Sequence, residues 1–276
     1  MLLNCKGQLL DVTRPKIMGI LNVTPDSFYD GGRYKSEKEI LNQVEKMLEE
    51  GATFIDLGAY SSRPNADHIS EKEEMSRLLP MVKLLVKTFP GIHLSIDTFR
   101  SQIAKEAVYE GAGLINDISA GGLDKNMFAT VSNLQVPYCI MHMIGTPQNM
   151  QNNTTYEDLL KDMIHYFSKK IFELRQLGLN DILIDPGFGF SKTLNQNFEL
   201  LQKMDLLNTF NLPVLVGLSR KSMLYKPLNS TAVQALNATT AAHMIALKKG
   251  AKILRVHDVK EAREAILIFE KTGSCH

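Results

Sequence analysis

Eight times along the 276-residue chain, a short run rich in β-branched and apolar residues is followed by a longer amphipathic stretch. That alternation constrains the fold more than any other feature of the sequence. The strand-like runs cover 17–22, 53–58, 92–97, 113–118, 136–141, 181–185, 213–217 and 252–256. The helix-like stretches that follow them cover 37–50, 71–88, 101–110, 125–133, 156–177, 194–207, 231–249 and 259–271. A strand that returns through a helix re-enters its sheet in the same direction, so the pairing is parallel. Runs such as VLVG at 214–217 and ILRV at 253–256 are almost wholly apolar, as expected of strands covered on both faces. Eight such units can close on themselves. The expected fold class is therefore α/β, a single-domain (β/α)8 TIM barrel over 17–271, with an open doubly wound sheet as the alternative because periodicity alone does not prove closure. A Lys6-Gly7 turn between short apolar runs predicts a β-hairpin over 1–16, beneath the barrel.

Composition narrows the partners. A net charge of +1, with both signs interspersed, offers no global field for nucleic acid or an anionic membrane, so any anion site must be local. Cys5, Cys139 and Cys275 are scattered, without C-x-x-C or metal-ligand spacing. With no basic-apolar leader and no run near the ~18 apolar residues of a membrane span, the expectation is a cytoplasmic protein with small-molecule partners.

In a barrel of this kind the carboxyl ends of the strands converge on one mouth, where chemistry is found. The runs end in Asn22; in the segment Ser61, Ser62, Arg63 and Pro64; in Asp97; in Asn116 and Asp117; in Met141 and His142; in Asp185; in Gly217 to Ser222; and in Arg255 with His257. Asp97 could equally cap the following helix, and His142 taken singly reads as an ordinary loop histidine. Arg255 closes an apolar strand, where a guanidinium needs an anion to meet it. Asp97, Asn116, Asp185 and Lys221 offer the acceptors, amide and cation that read donors and a carbonyl around a flat heterocycle. Asn22, Arg63, Arg255 and His257 offer a set suited to phosphate, on runs one, two and eight, which adjoin in a closed barrel. A single Mg²⁺ held by Asn22 and substrate phosphate oxygens is expected in preference to a metal cage built of protein alone.

The stretch IDPGFGFSKT (184–193) at first suggests a phosphate loop, yet it fails both the Walker spacing and the dinucleotide fingerprint. Its glycines are better explained as room for a flat ring, with Lys192 and Thr193 as the solvated start of the next helix.

Seven segments in order, NVTPDSF (22–28), SSRP (61–64), SIDT (95–98), NDIS (116–119), DPGFGF (185–190), SRKS (219–222) and RVH (255–257), resemble the dihydropteroate synthase family. The resemblance spans nearly the whole chain. It implies a transferase of folate biosynthesis, a target of sulfonamides, that joins 6-hydroxymethyl-7,8-dihydropterin diphosphate to 4-aminobenzoate with release of pyrophosphate. By the same resemblance Asp97, Asn116, Asp185 and Lys221 read the pterin, packed by Ile118, Met141, Gly189, Phe190 and Leu215. Asn22, Ser62, Arg63, Arg255 and His257 form the diphosphate and Mg²⁺ site. Phe28, Ser62, Pro64, Phe190, Lys221 and Ser222 frame the aminobenzoate, and a homodimer is implied. Asp26, Asp30 and Asn65 fall in the family's two mobile loops. Ser62, where the family commonly has Thr, keeps the hydroxyl and loses a methyl. A methyltetrahydrofolate-dependent methyltransferase or a non-catalytic pterin-binding barrel would share the pterin readers without needing the diphosphate groups.

Overall fold

The computed structural model describes residues 1–23, 33–60 and 69–273, with the side chains of 33–36 also outside the description. Strands β1 (Leu2–Cys5) and β2 (Gln8–Asp11) form the expected antiparallel hairpin. Its turn places Lys6 at φ 54 and Gly7 at φ 86, the left-handed pair that matches the twist of a two-residue hairpin.

The barrel follows with a helix after each strand and two after β9: β3 (Lys16–Asn22), α1 (Arg33–Glu50), β4 (Phe54–Gly58), α2 (Glu71–Thr88), β5 (His93–Asp97), α3 (Ser101–Tyr109), β6 (Leu114–Asp117), α4 (Met127–Leu134), β7 (Tyr138–Met141), α5 (Leu159–Gln176), β8 (Ile182–Asp185), α6 (Leu194–Lys203), β9 (Val214–Val216), the short α7 (Ser222–Tyr225), α8 (Leu236–Lys248), β10 (Ala251–Val256) and α9 (Val259–Gly273). Strands β3 to β10 pair in parallel and close, with β10 bonded to both β9 and β3. The open-sheet alternative is thereby excluded.

The period of two along each strand sorts side chains between two environments. Ile17, Leu21, Ile55, Leu57, Leu94, Ile96, Leu254 and Val256 pack outward against helix residues such as Val44, Val82, Leu85 and Ile266. The alternate residues Met18, Phe54, Leu114, Cys139, Leu183, Leu215 and Ile253 fill the barrel interior, sealed by Leu3, Cys5 and Val12 of the hairpin segment. Further hydrogen bonds tie the hairpin down: Asn4 N–H to Asp181 Oδ2 at 2.9 Å, and Lys6 Nζ to the Val108 carbonyl at 2.8 Å. The same inward phase, continued two residues toward the carboxyl ends, turns polar. Phe54 gives way to Asp56, Leu114 to Asn116, Leu183 to Asp185 and Ile253 to Arg255. One half of the interior is an oil-filled plug and the other a polar mouth.

This division separates stability from chemistry. Leu3→Ala should lower unfolding free energy in urea by about 2–4 kcal/mol through the cavity it leaves, while KM values measured at 25 °C stay unchanged because the plug lies at the opposite end from the mouth.

Candidate active site

At the mouth, Asp97, Asn116, Ile118, Met141, Asp185, Phe190, Gly217, Lys221 and Arg255 line one cleft. Arg255 spans it. Its Nε lies 2.6 Å from Asp56 Oδ2 and its NH2 2.7 Å from Asp97 Oδ2. The anions that meet this arginine in the structure are the protein's own Asp56 and Asp97. Asp56 was not anticipated, because a single carboxylate inside FIDLG has no motif around it. Its inward phase, two residues after Phe54, was the available signal. It is fully buried and also accepts Ser95 Oγ at 2.5 Å and Asn116 Nδ2 at 3.1 Å. Losing one member of such a buried network strands the others without partners.

Asp97 does not cap α3. The Ser101 N–H is taken by Asp124 Oδ2 at 2.7 Å, which frees Asp97 for Arg255. Burial raises the Asp97 carboxyl to about 7; Arg255 opposes the rise and the neighbouring Asp56 adds to it. Nearby, a buried ion pair fixes the strand's exit. Glu74 of α2 accepts Thr98 Oγ1 at 2.8 Å and Arg100 NH1 at 2.6 Å, while Arg100 NH2 holds the Ile69 carbonyl at 2.6 Å.

Asp185 ends β8 with one oxygen committed: Oδ1 accepts the Gly187 N–H at 2.7 Å. Burial raises its pKa, with Lys221 and the Gly187 hydrogen bond opposing. Lys221 Nζ donates to the Phe188 carbonyl and stands 4.8 Å from the centre of the Phe190 ring. Burial lowers the Lys221 ammonium to about 8, against the pull of Asp185 and with a further push from Arg255. The loop between them needs its glycines. Gly187 has φ +69, and a Cβ there would stand 2.2 Å from the His142 carbonyl oxygen; Gly189 has φ +80, and a Cβ would come 3.3 Å from Lys221 Cδ. Met141, Ile118 and the partly buried Phe190 join Tyr60, Phe99, Met143 and Met150 in an apolar wall beside the cleft. Leu215 lies in the interior plug, wholly buried, outside the cleft's own lining.

The other expected residues lie around this cleft. Asn22 is exposed at the end of β3, its Oδ1 3.6 Å from where a Cβ on Gly58 would stand, beside Asp97. His257 is exposed just after β10, with Nδ1 3.1 Å from Ser219 Oγ. Ser222 opens α7 and is exposed. Between them Arg220, at φ 55, grips Asp258 through Nε and NH2, both at 2.8 Å, and so joins the turn that carries Lys221 to the one that carries His257. Phe28, Ser62, Arg63 and Pro64, with Asp26, Asp30, Ser61 and Asn65, lie outside the described residues.

Lys192 overturns its expectation. It is 3 % exposed, not solvated, and its ammonium lies among main-chain carbonyls. Its neighbour Thr193 does open α6, as an exposed N-cap in a capping box with Gln196. His142 is no ordinary loop histidine either: it is 2 % exposed, with Nδ1 3.1 Å from Lys192 Nζ.

The contact at Gly187 can be tested directly. Gly187→Ala should destabilise the fold by about 2–4 kcal/mol, from left-handed strain plus the collision with His142 O. Thermal unfolding would read it, and any ligand of the cleft should bind more weakly.

Known proteins can now be set beside this geometry. Residues 18–257 match the family described as pterin binding enzyme. The dihydropteroate synthase of Haemophilus influenzae is 42% identical over 276 residues, covering 99% of this chain and 100% of that protein. The dihydropteroate synthase of Escherichia coli K12 is 40% identical, covering 99% and 97%. Among solved structures, Yersinia pestis dihydropteroate synthase in a sulfonamide drug complex superposes with a TM-score of 0.93 at 43% identity, over 100% of both chains. Xanthomonas albilineans dihydropteroate synthase with 4-aminobenzoic acid gives 0.92 at 35% identity, over 100% of this chain and 99% of that one. With the match spanning the barrel from β3 to the residue after β10, the chain belongs to the pterin binding enzyme family, among its dihydropteroate synthases.

Proposed function

We propose that the cleft condenses 6-hydroxymethyl-7,8-dihydropterin diphosphate with 4-aminobenzoate, and that it does so by ionisation of the pterin methylene–oxygen bond before the amine attacks. The observation that carries the site map is the convergence of Asp185, Asn116, Lys221 and Arg255 on one cleft at the barrel mouth. Asp185 keeps one oxygen on Gly187 N–H and has the other to accept from the heterocycle's N–H edge. Asn116 adds an amide and Lys221 a donor for the ring carbonyl, while Met141, Ile118 and Phe190 cover its faces.

In this reading the C–O bond breaks with both electrons leaving on pyrophosphate. The amine lone pair then forms the C–N bond, and the amine proton departs. The neutral arylamine needs no strong base, so the chain's contribution is electrostatic. Arg255 and Lys221 face three carboxylates, Asp56, Asp97 and Asp185. Those acids suit a cationic methylene, and the diphosphate is assigned to Arg63, Arg255, His257 and an ion on the family resemblance.

The donor set fits Mg²⁺ on those terms. The amide oxygen of Asn22, the kind of oxygen donor Mg²⁺ accepts, stands at the corner beside Asp97. Asn22 would hold the ion together with diphosphate oxygens and water. Bound there, Mg²⁺ would neutralise charge growing on the leaving group. Ser62, Pro64, Phe28 and Ser222 are assigned to the aminobenzoate on the family resemblance. We also assign a homodimer, for which exposed Ile245 on α8 and Leu267 and Ile268 on α9 offer an apolar face. No helix among the described residues is long and apolar enough to cross a membrane, and a cytoplasmic location fits the free thiols Cys5 and Cys139.

Pyrophosphate release from the pterin diphosphate should depend on added 4-aminobenzoate; release that ignores the amine would overturn the transfer assignment. Positional isotope exchange within the diphosphate, measured without amine, should be detectable, and its absence would favour concerted displacement. Asp185→Asn can keep the Gly187 contact but turns an N–H₂ toward the heterocycle's own donors. KM for the pterin diphosphate should rise roughly 10- to 100-fold. Arg255→Lys keeps the charge yet cannot reach Asp56 and Asp97 together, so both stability and kcat/KM should fall.

A pH profile should also follow from Lys221. Its folded pKa, about 8, lies below the ordinary lysine value, so the positive charge that strengthens its donation to the ring carbonyl is present below that pH and lost above it. The kcat/KM for the pterin diphosphate should therefore decline as pH rises through about 8. Lys221→Gln should abolish that limb.

A further inference from the structure

We propose that Lys192 is a positioning residue for pterin recognition, gathering the carbonyls of the 187–190 loop around its ammonium so that Asp185, Phe190 and the Phe188 carbonyl are held where the cleft needs them. The inference rests on the pterin reading of the cleft and adds to it a residue that touches no ligand.

The geometry is that of a built centre. Lys192 Nζ lies 3.0 Å from Gly187 O, 3.0 Å from Phe190 O and 3.1 Å from His142 Nδ1, with His142 O at 3.4 Å. Burial lowers the Lys192 pKa to about 7, with Asp185 opposing, and in its ammonium form the side chain carries three donors and no acceptor, which is what a pocket of two carbonyls and a ring nitrogen lone pair requires. The His142 ring must then be neutral, with its proton on Nε2. Burial, reinforced by the nearby Lys192 charge, lowers its pKa to about 2 and keeps it so. The ring is fixed in turn by Tyr166, edge-on at 4.9 Å, whose hydroxyl donates to the Met141 carbonyl at 3.0 Å.

Lys192 therefore joins two consecutive barrel loops, the one after β7 and the one after β8. Both loops supply walls of the cleft: Met141 from the first, Asp185 and Phe190 from the second. Other ties hold the same loop, among them Gln151 Nε2 donating to the Gly189 carbonyl at 3.2 Å and the Tyr156 hydroxyl donating to the Ser191 carbonyl at 2.7 Å. Ser191 Oγ exchanges hydrogen bonds with Ile144 N and O at 2.9 and 2.8 Å, and Asn197 Oδ1 accepts Gly189 N–H at 2.6 Å. The carbonyls of Gly187 and Phe190 converge on Lys192, and the Phe188 carbonyl between them receives Lys221. Removing the ammonium leaves inward carbonyls and a ring nitrogen without donors, and the loop can relieve that only by turning peptides away. The groups displaced are those that read the pterin.

The test compares Lys192→Met, isosteric and without donors, with Lys192→Gln, which retains two. Pterin diphosphate is titrated without amine, kcat and KM are measured with it, and unfolding midpoints are recorded alongside. Lys192→Met should weaken pterin diphosphate binding about tenfold or more, with KM rising further than kcat falls, and Lys192→Gln should recover part of that loss. Lys192→Met binding within about twofold of the native chain would overturn the proposal, as would a Lys192→Gln that binds no better than Lys192→Met. So would a loss confined to kcat and the unfolding midpoint. If Lys192→Met does not fold, Lys192→Gln alone decides by the same criteria. Native chain and Asp185→Asn run in parallel keep the two readings apart: normal turnover by the first and weak pterin binding by the second sustain the site map whatever Lys192 does.

Discussion

The ion-pair bridge from Arg255 to Asp56 and Asp97 is the interaction on which the mouth of the barrel depends. It crosses the interior from the last strand to the second and third, in a region where Asp56 sees no solvent. Carboxylates at that depth are tolerable only when a cation and hydrogen-bond donors meet them, and Arg255, Ser95 and Asn116 do so. A planar guanidinium is suited to this task because its donors diverge in fixed directions, so one group serves two acids on different strands. The bridge also sets the field in which the reaction runs. Burial and the Asp56 charge push Asp97 upward while Arg255 pulls it down.

The barrel can support this polar centre because its opposite half is apolar and closed. Met18, Phe54, Leu114, Leu183, Leu215 and Ile253 fill the interior below, and the hairpin's Leu3 and Cys5 exclude water from that end. Hydrophobic burial there offsets the desolvation cost of the mouth. The same strands carry both halves, with a change of chemistry two residues along, which is why one fold combines a rigid base with a reactive rim.

Around the rim, the loops are held by side chains outside the cleft's lining. Arg220 binds Asp258 and the carbonyls of Ala232 and Val233; Arg100 binds Glu74 and Ile69; Lys192 binds the loop after β8. In each case a long cation satisfies main-chain carbonyls that irregular backbone leaves without regular partners. The three cations look alike in sequence to surface residues, since nothing local distinguishes a lysine that dips inward from one that reaches water.

The sequence by itself determined the eight-fold alternation, the hairpin and its Lys6-Gly7 turn, and the placement of Asp97, Asn116, Asp185, Lys221 and Arg255 at strand ends. These follow from periodicity and local turn chemistry, which act over a few residues. Only the tertiary structure decided that the sheet closes, that Arg255 is met by Asp56 and Asp97, that Asp124 rather than Asp97 caps α3, and that Lys192 is buried against His142. Those outcomes join residues 23 to 237 positions apart. A charge's partner and its access to water are properties of three-dimensional neighbours, and no window of sequence contains them.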